Sequence, residues 1–560
     1  MVASRTPRLR DRGQGEGLCS TFRTPSTLTP VSVGTLSREA RGPAPAWVSW
    51  IQRLGVEGAI VAALMVAAAA LRFVLLAHQG FWFDEANTSQ LVSFSPGPML
   101  TLIKHYESTP PFYYGVAWVW ARIFGFGEAG LRSLSALAGV LAVPVAYGAA
   151  AKLISRRAGV IAAALTAFSP LLIWYSQEAR AYELVVLLTG LSLVTFAFAR
   201  ERPSGWALAA WTVASALALA SEYYAALVVV PEALWLLYLH RHHAGLRRVL
   251  TAIGVLVLCA IPLLWLAISQ NGTGHASWIA PIPLGPRLRQ IIPQFAAGFQ
   301  SPARQVLMRL AEAAALCAVI ALVLRSDRLE RRGGLIALSI ALGGLVLNLL
   351  LIAGGIDDLI TRNVIMLWMP AAVAVAGGLA ARRARTLGVL CTVVLCAVGL
   401  TGAIAVAADR NFQRPDWRGV ARVLGPRPAP GTGTRAILIQ RYRDVLPLSL
   451  YMPGLKSWPH HGTNKYSKYV GTRSVSEFDV VTIAAPRVYL CWWGAACNLT
   501  PSSLQGSYPI PGFHAVWIRH IYQFTIMRMV AAGPVKLTPQ TVSRALTNTS
   551  LKYDDLLLQP

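Results

Sequence analysis

Acidic residues are scarce in this chain: Asp and Glu number 25 against 51 Lys and Arg, leaving a formal charge of +26 over 560 residues. Charge of either sign is scarce as well, at 14% of residues against 55% hydrophobic ones, which excludes an ordinary soluble domain. A basic surplus can signal nucleic acid, but here the Lys and Arg collect in short loops between apolar runs, the distribution of a membrane protein with basic cytoplasmic loops. No nucleic-acid partner is expected. Residues 1–46 lack the apolar core of a signal peptide and are rich in Arg, Gly, Ser, Thr and Pro, so a disordered cytoplasmic tail is expected there. Cysteines number seven, with no second pair near "CWWGAACN", which argues against a zinc site. Within that stretch Cys491 and Cys497 are expected to close a disulfide, on the side of the membrane where oxidation is allowed. No internal repeat relates two halves of the chain, and Glu232 is the main carboxylate well inside an apolar run. Both absences count against a polytopic secondary transporter or lipid flippase, the alternative from another functional class, which keeps ionisable residues near the bilayer midplane.

What the sequence has is apolar length. From about Gly58, eleven runs approach or exceed the roughly 18 residues needed to span a bilayer, near 58–78, 129–151, 158–174, 183–199, 205–220, 223–239, 248–268, 305–325, 334–353, 362–380 and 386–408. Basic clusters at 152–157, 200–203, 240–248, 325–334 and 381–385 all fall on one side only if 110–125, "PPFYYGVAWVWARIFG", does not cross. Being short, led by Pro-Pro and full of Trp and Tyr, that segment is expected to lie at the outer interface. The same parity sends "FWFDEANTS" (81–89), "HYESTPP" (105–111), "SQEARAYE" (176–183), "SEYY" (221–224), "DDLITRN" (357–363) and everything after Asp409 to the outer face. Acids, arginines and a histidine thus converge where a lipid headgroup would lie.

These residues carry a resemblance. "WFDEA", a His followed by a Pro-Pro-aromatic-Tyr-Tyr run, "YSQEARAYEL", an Arg opening a late span and "RPDWRGVARVL" occur in an order that resembles the C-type membrane glycosyltransferases over about residues 56–425. The nearest groups are the protein O-mannosyltransferases and the lipid A aminoarabinose transferase. The resemblance implies a polyprenyl-phosphate sugar donor and an acceptor hydroxyl on a glycan, lipid or protein, with inversion at the anomeric carbon. It implies Asp84 as catalytic base, and Glu85 either holding the acceptor or raising the basicity of Asp84 through like-charge proximity. Arg180 and Arg362, with His105 assisting, are the candidates for the donor phosphate, since a guanidinium presents a planar fork to phosphate oxygens. Glu107, Gln177, Glu178, Tyr182 and Glu222 are expected around the substrates.

Plainer readings stand beside these. Arg180 pairs with Glu183 three residues on, Arg362 and Arg72 snorkel to the interface, His105 is a loop residue, and Phe81, Trp82 and Phe83 anchor the loop at headgroup depth. Two departures from the family pattern bear on the sugar. Thr109, with Glu107 nearby, stands where relatives carry a second His, and "SEYY" with Glu222 replaces a His-bearing loop. Asp84, Glu85, Glu178, Glu222 and His105 offer ligands of the kind a divalent ion takes, but the arginines already supply positive charge, so no metal or other cofactor is expected.

The expected architecture is an α-helical polytopic membrane protein of about eleven transmembrane helices plus juxtamembrane helices, with a small extracytoplasmic α/β domain at the C-terminus. Its divisions are 1–46, 47–408 and 409–560. In the last, 435–440 and 479–485 read as buried strands and 416–424 as an amphipathic helix.

Overall fold

The computed structural model describes residues 46–242, 245–271, 278–299, 304–426, 433–439, 442–461, 468–483, 510–522, 524–538, 540–542 and 555–559. Residues 1–45 of the expected tail and the Cys491–Cys497 pair lie outside them. The chain divides into two units, Met1–Leu54 and Gly55–Pro560. In the first, residues 46–54 are helical; everything below concerns the second.

Nine helices among the described residues are long and apolar enough to cross a membrane: Gly55–Phe73, Glu128–Leu153, Tyr182–Glu201, Tyr223–His240, Leu246–Asn271, Gln305–Leu324, Arg328–Ala353, Thr361–Leu379 and Arg382–Ala408. The other two of the eleven expected runs are helical but differ in form. The run at 158–174 is a bent pair, Arg156–Phe168 and Pro170–Ser176, at 55° to one another, which makes a tenth span if counted as one. The cause is local: Pro170 disfavours helical backbone at Ser169, which is extended (ψ 117°), and the Ser169 hydroxyl accepts the Leu172 N–H to start the second piece. The run at 205–220 forms Gly205–Ser221, only 17 residues long. The segment 110–125 does not cross; Phe112–Phe124 is a 13-residue helix packed through Tyr113, Tyr114, Ala117 and Ala121.

Helices meet closely where side chains are small. A Cβ on Gly378 would collide with the Ala318 carbonyl, and one on Gly344 with the Leu227 carbonyl. In lipid, where apolar burial gives no preference for protein over acyl chain, such close approach supplies the packing energy. One polar side chain inside the bundle overturns its sequence reading. Arg72 does not snorkel; it is fully buried, donating to the Ser176 hydroxyl (3.0 Å) and to the carbonyls of Thr166 and Ala167 (each 2.9 Å).

The loops sort to two ends of the bundle. At one end Lys152 pairs with Glu201 (2.6 Å), Arg156 with Glu57 (3.7 Å), Arg382 with Glu330 (4.0 Å), and Arg157 donates to the Arg385 carbonyl. With His240 Nε2 3.2 Å from the Ala199 carbonyl and Gly245 against Pro203, the five basic clusters are neighbours, as the alternation of the spans requires. The other end carries the acids, a cavity and the C-terminal domain.

That domain is built on a six-stranded mixed sheet: β1 (Thr434–Ile439), β2 (Lys456–Ser457), β5 (Arg473–Ile483), β6 (His514–Ile521), β7 (Phe524–Leu537) and β8 (Asp555–Gln559), in the order β2-β8-β1-β5-β7-β6. Strands β3 (His460–His461) and β4 (Lys468–Tyr469) pair separately. Among the described strands only β1 and β5 run parallel. The helices Trp417–Leu424 and Val445–Tyr451 cover one face through Trp417, Val420, Leu424 and Leu448, packed on Ile437, Val481 and Phe524. The two strands and the helix expected here are present, with β5 starting six residues earlier than the apolar run suggested. Its N-terminal half is exposed at Arg473 and Ser474 and only half-buried at Ser476 and Glu477, so a search for continuous apolar stretches passes over it.

Candidate active site

The first span ends at Phe73, five residues before its apolar run does, and a tight segment leads from there to the short helix Phe83–Ser93. Asp84 and Glu85 occupy the first turn of that helix, where unpaired backbone N–H groups favour negative charge. Adjacent residues on a helix point about 100° apart, and the two carboxylates part accordingly.

Glu85 turns inward and is completely buried. Arg132, also buried, meets it with both arms: Nε to Oε1 and Nη2 to Oε2, each 2.6 Å. The Ala179 N–H adds a third bond to Oε1 (3.0 Å). Burial alone would raise this carboxyl; the charge and hydrogen bonds of Arg132, the charge of Arg414 and the Ala179 amide outweigh it and hold the group below its usual range. The remaining Arg132 donors go to the carbonyls of Leu76, Gln79 and Gly80. The acceptor role expected of Glu85 is thus corrected to a structural one, because no face of its carboxylate is open.

Asp84 turns the other way, into a cavity of about 880 Å³ lined by residues from seven stretches of the chain. Its Oδ2 lies 2.8 Å from Nη1 of Arg362. Arg362 therefore does not snorkel; it reaches across the site to a residue 278 positions away in sequence. Arg180 lines the same cavity, paired not with Glu183 but with Glu107, Nη1 to Oε1 at 3.0 Å and Nη2 to Oε2 at 3.2 Å, while Nη1 also donates to the Tyr114 hydroxyl (2.7 Å). Asn87 Nδ2 donates to the same Glu107 oxygen (2.6 Å). Tyr182 and Glu222 complete the expected set on this wall. Burial pushes the Glu222 carboxyl up to about 7, with the charges of Arg180 and Arg362 only partly opposing it.

Three expected residues are elsewhere. His105 is exposed on the helix Pro96–Tyr106 and does not line the cavity. Gln177 donates to the Leu71 carbonyl. Glu178 is buried beneath the site, where Arg414 donates to its Oε2 (3.0 Å) and lies over the Trp174 ring, 4.2 Å from its centre. Burial raises the Glu178 carboxyl to about 7; Arg414 opposes this and the charges of Glu85 and Asp84 add to it. Of the loop aromatics, Phe81 is buried against Arg132 and Phe83 lines the cavity, so neither is simply a headgroup anchor.

The structure adds residues that sequence reasoning missed. Arg443, from the C-terminal domain, reaches the cavity and lies over Phe83 (5.7 Å) and Trp278 (6.0 Å). Asp357, held below its usual range by hydrogen bonds from Arg287, and Asp358, which accepts from the Tyr224 hydroxyl (2.8 Å) and is raised by burial, form the far wall. Leu102, Leu264, Ala267, Ile268 and Leu351 give the cavity an apolar side. Among the described residues no three His, Cys, Asp or Glu side chains gather as a metal site would require.

With this geometry, comparison with known proteins becomes informative. A family described as dolichyl-phosphate-mannose-protein mannosyltransferase matches residues 108–266. Among curated proteins, no sequence matches. Among solved structures, ArnT from Cupriavidus metallidurans bound to undecaprenyl phosphate superposes with a TM-score of 0.50 at 14% identity, covering 86% of this chain and 98% of its own. The chain has the fold of the C-type membrane glycosyltransferases. The Archaeoglobus fulgidus oligosaccharyltransferase is also similar, at 13% identity over 67% of this chain and 58% of its own, TM-score 0.41. Arabinosyltransferase EmbB from Mycobacterium smegmatis matches at 12% identity over 61% and 31%, TM-score 0.34. In this C-type fold, the cavity end is where Asp84, Glu107, Arg180, Tyr182, Glu222 and Arg362 come together.

Proposed function

We propose that this chain is an inverting glycosyltransferase that moves a sugar from a polyprenyl-phosphate donor to a hydroxyl on an extracytoplasmic glycan, lipid or protein. The observation that carries the reading is the Asp84–Arg362 pair at 2.8 Å inside the cavity. A single displacement at an anomeric carbon needs a base for the acceptor proton and a cation for the departing phosphate, and this pair supplies one of each. The apolar side of the cavity suits the first units of a polyprenyl chain. The C-type fold and the matched segment 108–266 support the class, and the undecaprenyl phosphate in the ArnT structure supports the donor.

In this reading the donor phosphate takes over Arg362, which releases the Asp84 carboxylate. The acceptor oxygen attacks the anomeric carbon from the face opposite the phosphate and passes its proton to Asp84. The sugar–phosphate C–O bond breaks, and the polyprenyl phosphate leaves with the electron pair, held by Arg362. Arg180 lines the same cavity, paired with Glu107 as Arg362 is with Asp84, and is the second guanidinium available to the phosphate. The guanidinium groups supply the positive charge of the leaving-group site. The basic end of the bundle faces the cytoplasm and the cavity faces outward.

The test is transfer from a panel of radiolabelled polyprenyl-phosphate sugars by purified protein in lipid, wild type against Asp84→Asn. Loss of transfer by a factor of roughly 100 or more, with donor binding retained, is expected of a lost general base. Equal transfer by the two proteins removes Asp84 from that role. Movement of labelled lipid across the bilayer with no product from any donor replaces the enzyme reading with a flippase.

A further inference from the structure

The segment between the first span and Asp84 has almost no secondary structure of its own, yet every carbonyl from Leu76 to Gly80 accepts a hydrogen bond from an arginine. Arg132 takes Leu76, Gln79 and Gly80. Arg418, on the first helix of the C-terminal domain, takes Ala77 (3.0 Å) and His78 (2.6 Å). The Gln79 side chain accepts from the Arg414 N–H (3.0 Å). At Phe81, two residues before the helix that carries Asp84, the contact changes type. The Tyr451 hydroxyl accepts the Phe81 N–H (2.6 Å) and donates to Oε1 of Glu128 (2.7 Å), which also faces Arg418 Nη1 at 3.4 Å. Tyr451 ends the helix Val445–Tyr451, on whose N-terminal side Arg443 reaches the cavity. The fit is close: a Cβ on Gly80 would stand 3.3 Å from both the Arg418 Cβ and the Tyr451 hydroxyl.

We propose that Tyr451 is a positioning residue of the active site: by fixing the Phe81 amide against Glu128, it sets the start of the helix that carries Asp84. The C-terminal domain is then part of the catalytic apparatus, because it holds the loop whose far end is the base. The inference rests on the reading of Asp84 as base, but the clamp itself is measurable without it. Phe81 N–H is three residues before Asp84, with Trp82 alone between it and the helix that begins at Phe83. A shift of the loop is therefore passed to the start of the helix that carries the carboxylate. A displacement of about 1 Å at a reacting group is enough for a loss near 100-fold in rate.

The experiment compares wild type with Tyr451→Phe, which keeps the ring and removes the hydroxyl, and with Gly80→Ala, which wedges the same contact from the other side. Three quantities are read in lipid: amide exchange of residues 77–84, kcat and KM for whichever polyprenyl-phosphate sugar the wild type uses, and the thermal midpoint. Faster exchange at 77–84 together with a fall in kcat of about 10- to 100-fold, and KM changed by less than about threefold, supports positioning. Unchanged kcat overturns it, whether or not exchange rises. A loss confined to KM also overturns it and makes Tyr451 a binding residue. If Tyr451→Phe does not fold, Gly80→Ala decides by the same criteria. Failure of the underlying reading looks different: Asp84→Asn then transfers sugar like wild type while exchange at 77–84 in Tyr451→Phe still rises.

Discussion

Two carboxyls of the site end pull stability in opposite directions with pH. Glu222, 5% exposed and lifted by burial to about 7 from a usual 4.5, binds more protons folded than unfolded between those values. Its contribution to stability is therefore present below about pH 4.5, declines as pH rises to about 7, and is flat above. Glu85, held down by Arg132, contributes in the opposite sense: its stabilisation is present above its unfolded value and is lost on acidification. Replacing Glu222 with Gln removes the first term alone. The expected result is a thermal midpoint that drops less than that of wild type between about pH 4.5 and 7, measured by unfolding in detergent across that range; parallel curves for the two proteins refute it. At this scale the sequence told which residues would meet but not how they would pair. Asp84, Glu107, Arg180, Tyr182, Glu222 and Arg362 stand out because polar groups beside long apolar runs are costly to place. Their partners lie 73 to 278 positions away, as Glu107–Arg180 and Asp84–Arg362 do, and no local periodicity encodes such a distance. Arg132 could have been found by asking what neutralises Glu85, since a buried carboxylate must be paired; Arg443, in a turn of the C-terminal domain, left no such trace.

At the scale of helices, length and apolarity located all eleven helical stretches but not their geometry. The bend at Ser169–Pro170 was written in the Ser-Pro dipeptide; reading only hydropathy averaged over it. The helix crossings were likewise hidden, because a glycine inside an apolar run looks like composition until its neighbour is known. Gly378 is a case where the neighbour is a carbonyl oxygen of Ala318, with no room for a methyl group. Gly378→Ala must force the helices Gln305–Leu324 and Thr361–Leu379 apart, at a cost of about 1–3 kcal/mol typical of overpacking. A lowered thermal midpoint with an unchanged cavity-side ion pair is expected, checked by unfolding and by transfer activity at low temperature. Wild-type stability in this variant contradicts the crossing described here.

Across the whole molecule, the alternation of loops made one testable claim, that the five basic clusters share a side. Their contacts with one another agree with that grouping; which side is cytoplasmic follows from charge alone. An epitope inserted at the Pro511–Gly512 turn is expected to be reached by antibody on sealed right-side-out vesicles, and one inserted beside Arg383 only after permeabilisation. The reverse pattern inverts the topology. Charge is only locally balanced at the cavity end. Around the cavity Arg132, Arg180, Arg287, Arg362 and Arg414 each face a carboxylate, yet residues 409–560 as a whole carry 18 Lys and Arg against 7 Asp and Glu. Taken out of the membrane, the protein is thus a polycation at that pole too: it will cling to a cation exchanger and carry anionic phospholipid with it through purification.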